Sequence, residues 1–118
     1  MQTAEPKNAD DAFQSLKAGH IVTLDSYNTI ADGLRANLSS RTFGILSRLV
    51  DEVSTATESE IIAAMRLLWE RMKIVVEPSG AVSAAPVLNR RIQAEGKRVG
   101  IILSGGNVDL ASLPFSAA

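Results

Sequence analysis

"VGIILSGGNVDL", residues 99–110, decides how this chain is read. Residues 99–103 are apolar apart from one glycine and lack the alternation of a half-buried strand. A short run of this kind is expected of a strand covered on both faces, as in a parallel sheet. The run then stops in Ser104-Gly105-Gly106-Asn107. In open α/β sheets ligands bind at the carboxyl ends of the strands. There, Ser104 offers a hydroxyl that can donate to or accept from a ring nitrogen or a phosphate. Gly105 and Gly106 allow a ligand or another backbone to come close. The plainer alternative is a tight turn into the next segment.

Working outward, the neighbouring segments alternate in type. Residues 8–18 read as a helix capped by Asn8 or Asp10 and stopped at Gly19. Residues 20–24, "HIVTL", read as a short strand, and residues 25–28 as a turn. Residues 29–40 suggest a short helix broken near Gly33, or a helix that starts at Asp32. Residues 41–50 place Phe43, Leu46 and Val50 on one helical face, and residues 51–56 read as a strand. Thr57 precedes Glu60 at capping-box spacing, and Ile61, Met65, Leu68, Trp69 and Met72 recur at helical spacing up to about Val75. A further helix is expected over 78–96, with Pro86 forcing a kink or a late start. Residues 111–118 read as a frayed tail.

Strands alternating with helices predict an α/β fold with parallel pairing. Only three or four short strands are visible, and several helices are apolar on more than one side. A parallel sheet needs cover on both faces, so residues 1–118 read as a single partial domain: part of a parallel sheet with flanking helices. Val53, Ile101 and Leu103 are expected on neighbouring strands, with Met65 and Leu68 packed across them.

Composition narrows the functional classes. The 118 residues carry a net charge of −1, no cysteine and one histidine, His20. Nothing here attracts nucleic acid or an anionic membrane, and disulfides and thiolate metal sites are excluded. The first residues lack a basic segment followed by an apolar one, and no apolar run approaches the ~20 residues that cross a bilayer. The expectation is a cytoplasmic protein.

Three further constellations carry chemical potential. Glu5-Pro6-Lys7-Asn8-Ala9-Asp10-Asp11 brings carboxylates and a carbonyl into one loop, hard oxygen ligands suited to Mg²⁺, Mn²⁺ or Ca²⁺. Its plain alternative is helix capping by Asp10 and Asp11 with Glu5 in solvent. Glu77-Pro78-Ser79-Gly80 places a glutamate before a helix start, where it could orient a ligand. Thr29-Ile30-Ala31-Asp32-Gly33 is by itself a capped turn.

Taken together, "AEPKNADDAFQS", "TIADGL", "RTFGIL", "VDEV", "EIIAAMRLLWERMKIVVEPSGAVSAA" and "VGIILSGGNVDL" resemble, in that order, the C-terminal part of the pyridoxal-phosphate (PLP) dependent serine racemase and serine/threonine dehydratase family, which includes the threo-3-hydroxyaspartate ammonia-lyases. The resemblance covers about residues 3–111. It implies a fragment of the large domain of the second PLP fold type, the tryptophan synthase β-like one. Ser104 then faces the pyridine nitrogen of PLP, with Gly105, Gly106, Glu77 and Gly33 around the cofactor. A neutral hydroxyl does not force that nitrogen to be protonated, so the cofactor is a gentler electron sink, which suits elimination. The resemblance also implies a divalent cation held by Glu5, the Ala9 carbonyl and Asp11, and a nucleotide touched by Lys73 and Asn107.

The complete enzymes act on a small hydroxy amino acid (serine, threonine or 3-hydroxyaspartate). They remove the α-proton and eliminate the β-hydroxyl to leave a 2-oxo acid and ammonia, or they racemise. The family's cofactor-anchoring lysine motif and glycine-rich phosphate loop have no counterpart here. Lys7, Lys17, Lys73 and Lys97 stand in no comparable motif, so no catalytic residue is expected in this chain and no activity from it alone. It is expected to work as a homo-oligomer or with the missing N-terminal part. The alternative is a non-catalytic metal- or nucleotide-binding or assembly module derived from the family.

Overall fold

The computed structural model describes residues 1–115. Gln2–Pro6 forms β1, a 3₁₀ turn spans Lys7–Ala9, and Asp11–Ala18 forms α1. After a long loop with a 3₁₀ turn at Asp32–Leu34 come α2 (Ser40–Leu49), β2 (Glu52–Ala56) and α3 (Glu58–Leu67). A wide π-type turn, Leu68–Met72, ends α3. Two single-turn helices follow, α4 (Pro78–Ala81) and α5 (Ala85–Leu88).

β1 and β2 pair in parallel, Gln2 opposite Glu52 through Pro6 opposite Ala56, and are the two strands of the sheet among the described residues. The capping box that opens α3 is formed: the Glu60 amide donates to Thr57 Oγ1 at 3.3 Å and the Thr57 amide to Glu60 Oε2 at 2.8 Å. A second box, Ser39 with Thr42, opens α2. Two buried clusters flank α3. Ala31, Ala56, Ile61, Ala64, Val82 and Ala85 form one; Met65, Leu68, Val76, Ala81 and Ala84 form the other. The many alanines let α3, α4 and α5 approach closely. Among the described residues no helix is long and apolar enough to cross a membrane.

Several expectations are corrected. Residues 20–24 form no strand, because Ser15 of α1 takes the place of a strand partner: its hydroxyl donates to the Asp11 carbonyl and accepts from the Val22 amide at 2.9 Å. Residues 29–39 hold only the 3₁₀ turn, which begins at Asp32 as one of the two readings had it but lasts a single turn. α3 and its wide turn stop at Met72, where Lys73 takes a left-handed φ of 59° and the Trp69 indole N–H donates to the Val76 carbonyl at 2.9 Å, folding the chain back. The helix expected over 78–96 is broken before Pro86, as that proline predicts, but ends at Leu88 rather than Gly96. Residues 99–104 are not a strand: nothing among the described residues pairs with them, and Ile102 is 83% exposed. Val53 and Leu103 therefore do not lie on neighbouring strands, although Leu103 packs on the cluster containing Met65 and Leu68. β1 has no strand-like composition and exists because β2 offers it an edge. Leu113 and Phe115, in the tail, pack on the second cluster, Phe115 edge-on to Trp69 at 5.5 Å. Residues 116–118 of that tail lie outside the described residues.

Candidate functional site

The chain reversal after α3 brings three distant stretches together. Glu77 is the N-cap of α4 with Pro78 in its first turn, where a missing amide hydrogen costs nothing. The Glu77 amide donates to the Gly105 carbonyl at 3.1 Å. Two glycines make this approach possible. A Cβ on Gly80 would stand 2.1 Å from the Ser104 carbonyl oxygen, and one on Gly105, whose φ is +84°, would stand 1.8 Å from Glu77 Oε1. Across α4, Ser79 Oγ accepts from the Gly33 amide at 3.0 Å and lies 3.4 Å from Asp32 Oδ1. Arg35 holds the same turn by donating to the Thr29 carbonyl.

Gly33, Glu77, Ser104, Gly105 and Gly106 are thus joined through α4, as neighbours in one surface. Neither the Ser104 hydroxyl nor the Glu77 carboxylate makes a hydrogen bond among the described residues, so both remain available to a ligand. A cleft of about 280 Å³ opens alongside, lined by Asp32, Arg35, Met65, Pro78, Asn107 and Asp109. Lys73 is exposed at the end of the α3 turn and does not line this cleft, so the structure does not bring it together with Asn107 there.

The second constellation forms a corner where β1 meets α1. Glu5, at the end of β1, accepts from the Ala12 amide at 3.2 Å and the Phe13 amide at 2.8 Å. These are free first-turn amides of α1, so Glu5 performs the capping expected of Asp10, whose side chain instead receives Gln14 Nε2 at 2.7 Å. Asp11 is 2% exposed and accepts from the Leu38 amide at 3.0 Å. Ala9 is buried beside them. Burial, with smaller contributions from the charges of Asp11 and Asp10, pushes the Glu5 carboxyl up to about 7 against the opposing pull of its two amide donors. Burial pushes Asp11 up as well. Tyr27, which donates to Asn37 Oδ1, is raised by burial and then by the negative charge of this corner. Among the described residues no three His, Cys, Asp or Glu side chains gather into a cation cage. The available set is two carboxylates and a carbonyl.

Sequence reasoning missed Ser79, Ser83 and Arg35. Ser79 stood in a quoted stretch but carried no sign of a contact 46 residues away. Ser83, which donates to the Ile102 carbonyl at 2.7 Å, gave no signal at all. A larger cleft of about 480 Å³ lies between α1 and α2 against Phe13, Leu16, Phe43 and Val50, and none of the candidate residues lines it.

Comparison with known proteins meets this geometry. Residues 1–105 match the family described as pyridoxal-phosphate dependent enzyme. The chain is 53% identical over 115 residues to a serine racemase of Arabidopsis thaliana, covering 93% of this chain and 35% of that protein. It is 47% identical over 113 residues to a beta-hydroxyaspartate dehydratase of Paracoccus denitrificans (strain Pd 1222), covering 96% of this chain and 36% of that protein. The solved structure of maize serine racemase superposes with a TM-score of 0.87 at 48% identity, over 93% of this chain and 35% of that one. The chain therefore spans about a third of the length of the relatives it matches.

Proposed function

The chain belongs to the pyridoxal-phosphate dependent enzymes, and from that premise we propose that it supplies the Ser104 side of the cofactor site and the cation corner of a cytoplasmic lyase or racemase acting on a small hydroxy amino acid. The observation that carries this reading is the convergence of Gly33, Glu77 and the Ser104–Gly106 stretch on α4, with a hydroxyl and a carboxylate left unengaged.

These residues fit the flat ring of a pyridine cofactor. Gly80 and Gly105 keep the backbones flush where a Cβ would protrude, and Ser104 presents a neutral donor and acceptor at the edge of that surface. PLP, when bound, supplies the electron sink that makes an amino acid's α-proton removable. Ser104 would meet the ring nitrogen without protonating it, Glu77 would orient the ring from the side of α4, and Gly33, held by Ser79, would close the surface beside them. The corner also fits its ion. Half-buried Glu5 and buried Asp11 are both pushed up by burial, Glu5 further by the charge of Asp11, and both offer hard oxygens, so a divalent cation (Mg²⁺, Mn²⁺ or Ca²⁺) with the Ala9 carbonyl as third ligand would offset that cost. Lys73 and Asn107 would each contribute one contact to a nucleotide where copies of the enzyme meet. The substrate class is serine, threonine or 3-hydroxyaspartate, with a 2-oxo acid and ammonia as elimination products.

The test is a fusion of this chain to the segment of the Arabidopsis relative that precedes the matched 115 residues. With PLP and Mg²⁺ the fusion should release a 2-oxo acid from at least one of the three amino acids or invert serine, and Ser104→Ala should lower kcat by roughly tenfold or more. A folded fusion that does neither sinks the reading in favour of a non-catalytic module.

A further inference from the structure

The chain leaves α1 at Gly19, runs through residues 20–38 and comes back to the first residue of α1. Both ends of that excursion are fastened to Asp11. On the way out, Ser15 Oγ donates to the Asp11 carbonyl and accepts from the Val22 amide at 2.9 Å. On the way back, the Leu38 amide donates to Asp11 Oδ2 at 3.0 Å. Asn37 ties the two ends to each other. Its Oδ1 accepts from the Leu24 amide at 3.2 Å and from the hydroxyl of Tyr27, so one side-chain oxygen joins positions 13 residues apart. Among the described residues the Asn37 side chain makes no hydrogen bond to Glu5, Ala9 or Asp11.

The physical link from Asn37 to Asp11 is a single peptide unit. The Asn37 carbonyl and the Leu38 N–H lie in one rigid plane, so whatever holds Asn37 aims the Leu38 N–H. Asp11 depends on that aim. The terminal torsion of an aspartate is broad and fixes no orientation by itself. Here the residue is 2% exposed, and the Leu38 amide on Oδ2 sets the carboxylate's rotation. With Oδ2 so engaged, Oδ1 is the oxygen left for an ion. Closing a loop costs conformational entropy, and a loop closed before a ligand arrives spares the binding step that cost. Tyr27 stands near enough for its phenol to be raised, after burial, by the negative charges of Asp11 and Glu5. The tie and the corner are therefore neighbours in space.

We propose that Asn37, steadied by Tyr27, is a positioning residue of the cation corner: it holds the 37–38 peptide so that the Leu38 amide presents the Asp11 carboxylate to a divalent ion alongside Glu5 and the Ala9 carbonyl. This rests on the cation reading above and adds to it a residue that acts through another. An asparagine suits the place. Its amide oxygen accepts two hydrogen bonds, and it brings no charge that would compete for the ion. Partners that orient a metal's ligands carry much of its affinity, and losing one costs about tenfold or more.

The experiment compares four forms of the whole chain, wild type, Asn37→Ala, Tyr27→Phe and Asn37→Asp, with Mn²⁺ as the probe. Calorimetry reads affinity, and amide hydrogen exchange reads the metal-free chain. Asn37→Ala should weaken Mn²⁺ binding about tenfold and speed exchange at Leu38 about tenfold, with exchange at Met65 in α3 unchanged. Tyr27→Phe removes one of the two donors while Leu24 still donates, and should weaken binding about threefold. Asn37→Asp keeps the accepting oxygen, so it should return both Leu38 protection and binding to at least the wild-type level. A role in general stability alone would leave Mn²⁺ affinity unmoved in chains that remain folded. The inference is overturned if Asn37→Ala binds like wild type, if Met65 loses as much protection as Leu38, or if Asn37→Asp fails to restore either quantity. Should Asn37→Ala fail to fold by circular dichroism, Tyr27→Phe decides: wild-type affinity there overturns the inference, and the threefold loss upholds it. Wild type and all variants binding alike would remove Asn37 and keep the cation reading. A wild-type chain that binds no Mn²⁺ would overturn both.

Discussion

The corner at Glu5 and the edge at 99–106 both belong to the proposed site, yet they are built differently. The corner is closed by this chain's own atoms: β1 and β2 pair, Glu5 caps α1, and Asp11 holds the backbone of a loop 27 residues away. The edge is anchored at one end by Glu77 and Gly80 and open elsewhere, with Ile102 in water. Polar groups close locally because one carboxylate satisfies two amides. A strand covered on both faces depends on neighbours distant in sequence or in another chain, and this difference teaches that the corner can be judged from its own residues and the edge cannot.

The largest effect should come from Gly80, where the edge is fastened. Gly80→Val places a side chain where the Ser104 carbonyl lies. It should cost about 3 kcal/mol in thermal unfolding, with loss of the Leu103 contacts seen as side-chain chemical-shift changes. A near-neutral result would mean that the edge is fastened elsewhere. Next is the pH response of the corner. The Glu5 carboxyl holds its proton up to about 7, against 4.5 ordinarily, so between those values the folded state binds more protons than the unfolded one. Stability is then greatest near the lower value and falls as pH rises through 7. Asp11, pushed the same way by burial, adds to the trend. After discounting for partial exposure, the fall between pH 5.5 and 8 should be about 1–2 kcal/mol by urea titration. Glu5→Gln should flatten it, and millimolar Mg²⁺ should restore stability at pH 8 more than at pH 5.5. A wild type that gains stability on going to pH 8 would contradict the closed, desolvated corner.

Smaller still, Thr57→Ala removes one half of the capping box at the start of α3 and should cost about 1 kcal/mol. Both regions lean on α3, through Ala4 on the cluster with Ile61 and Leu103 on that with Met65, so amide protection at the corner and the side-chain chemical shifts of Leu103 should change together; a change at one alone would show that they do not share that support. The smallest effect should be Ile102→Ser, within about 0.5 kcal/mol of wild type in the isolated chain, together with weaker binding of dyes that report exposed apolar surface. A large destabilisation would mean that 99–103 are already covered.

The residues determined by themselves what depends on near neighbours. Thr57 with Glu60, the apolar spacing through Leu68, the stop at Gly19 and the break at Pro86 are set within a few residues, and each is found in the structure. The order of AEPKNADD, EPSGA and LSGGN was enough to place the chain among PLP enzymes, because side-chain chemistry at fixed spacing survives in sequence. Tertiary structure alone decided the rest. β1 exists only because β2 offers an edge, and residues 20–24 are kept from pairing by the Ser15 hydroxyl. Glu5 rather than Asp10 caps α1, since the end of β1 carries its carboxylate to the free amides. Ser79 meets Gly33 only once α4 is folded back onto the Asp32 turn. The strand-like run at 99–103 remains unpaired because strand formation requires hydrogen bonds from another segment, and a sequence records a strand's readiness to pair without supplying its partner.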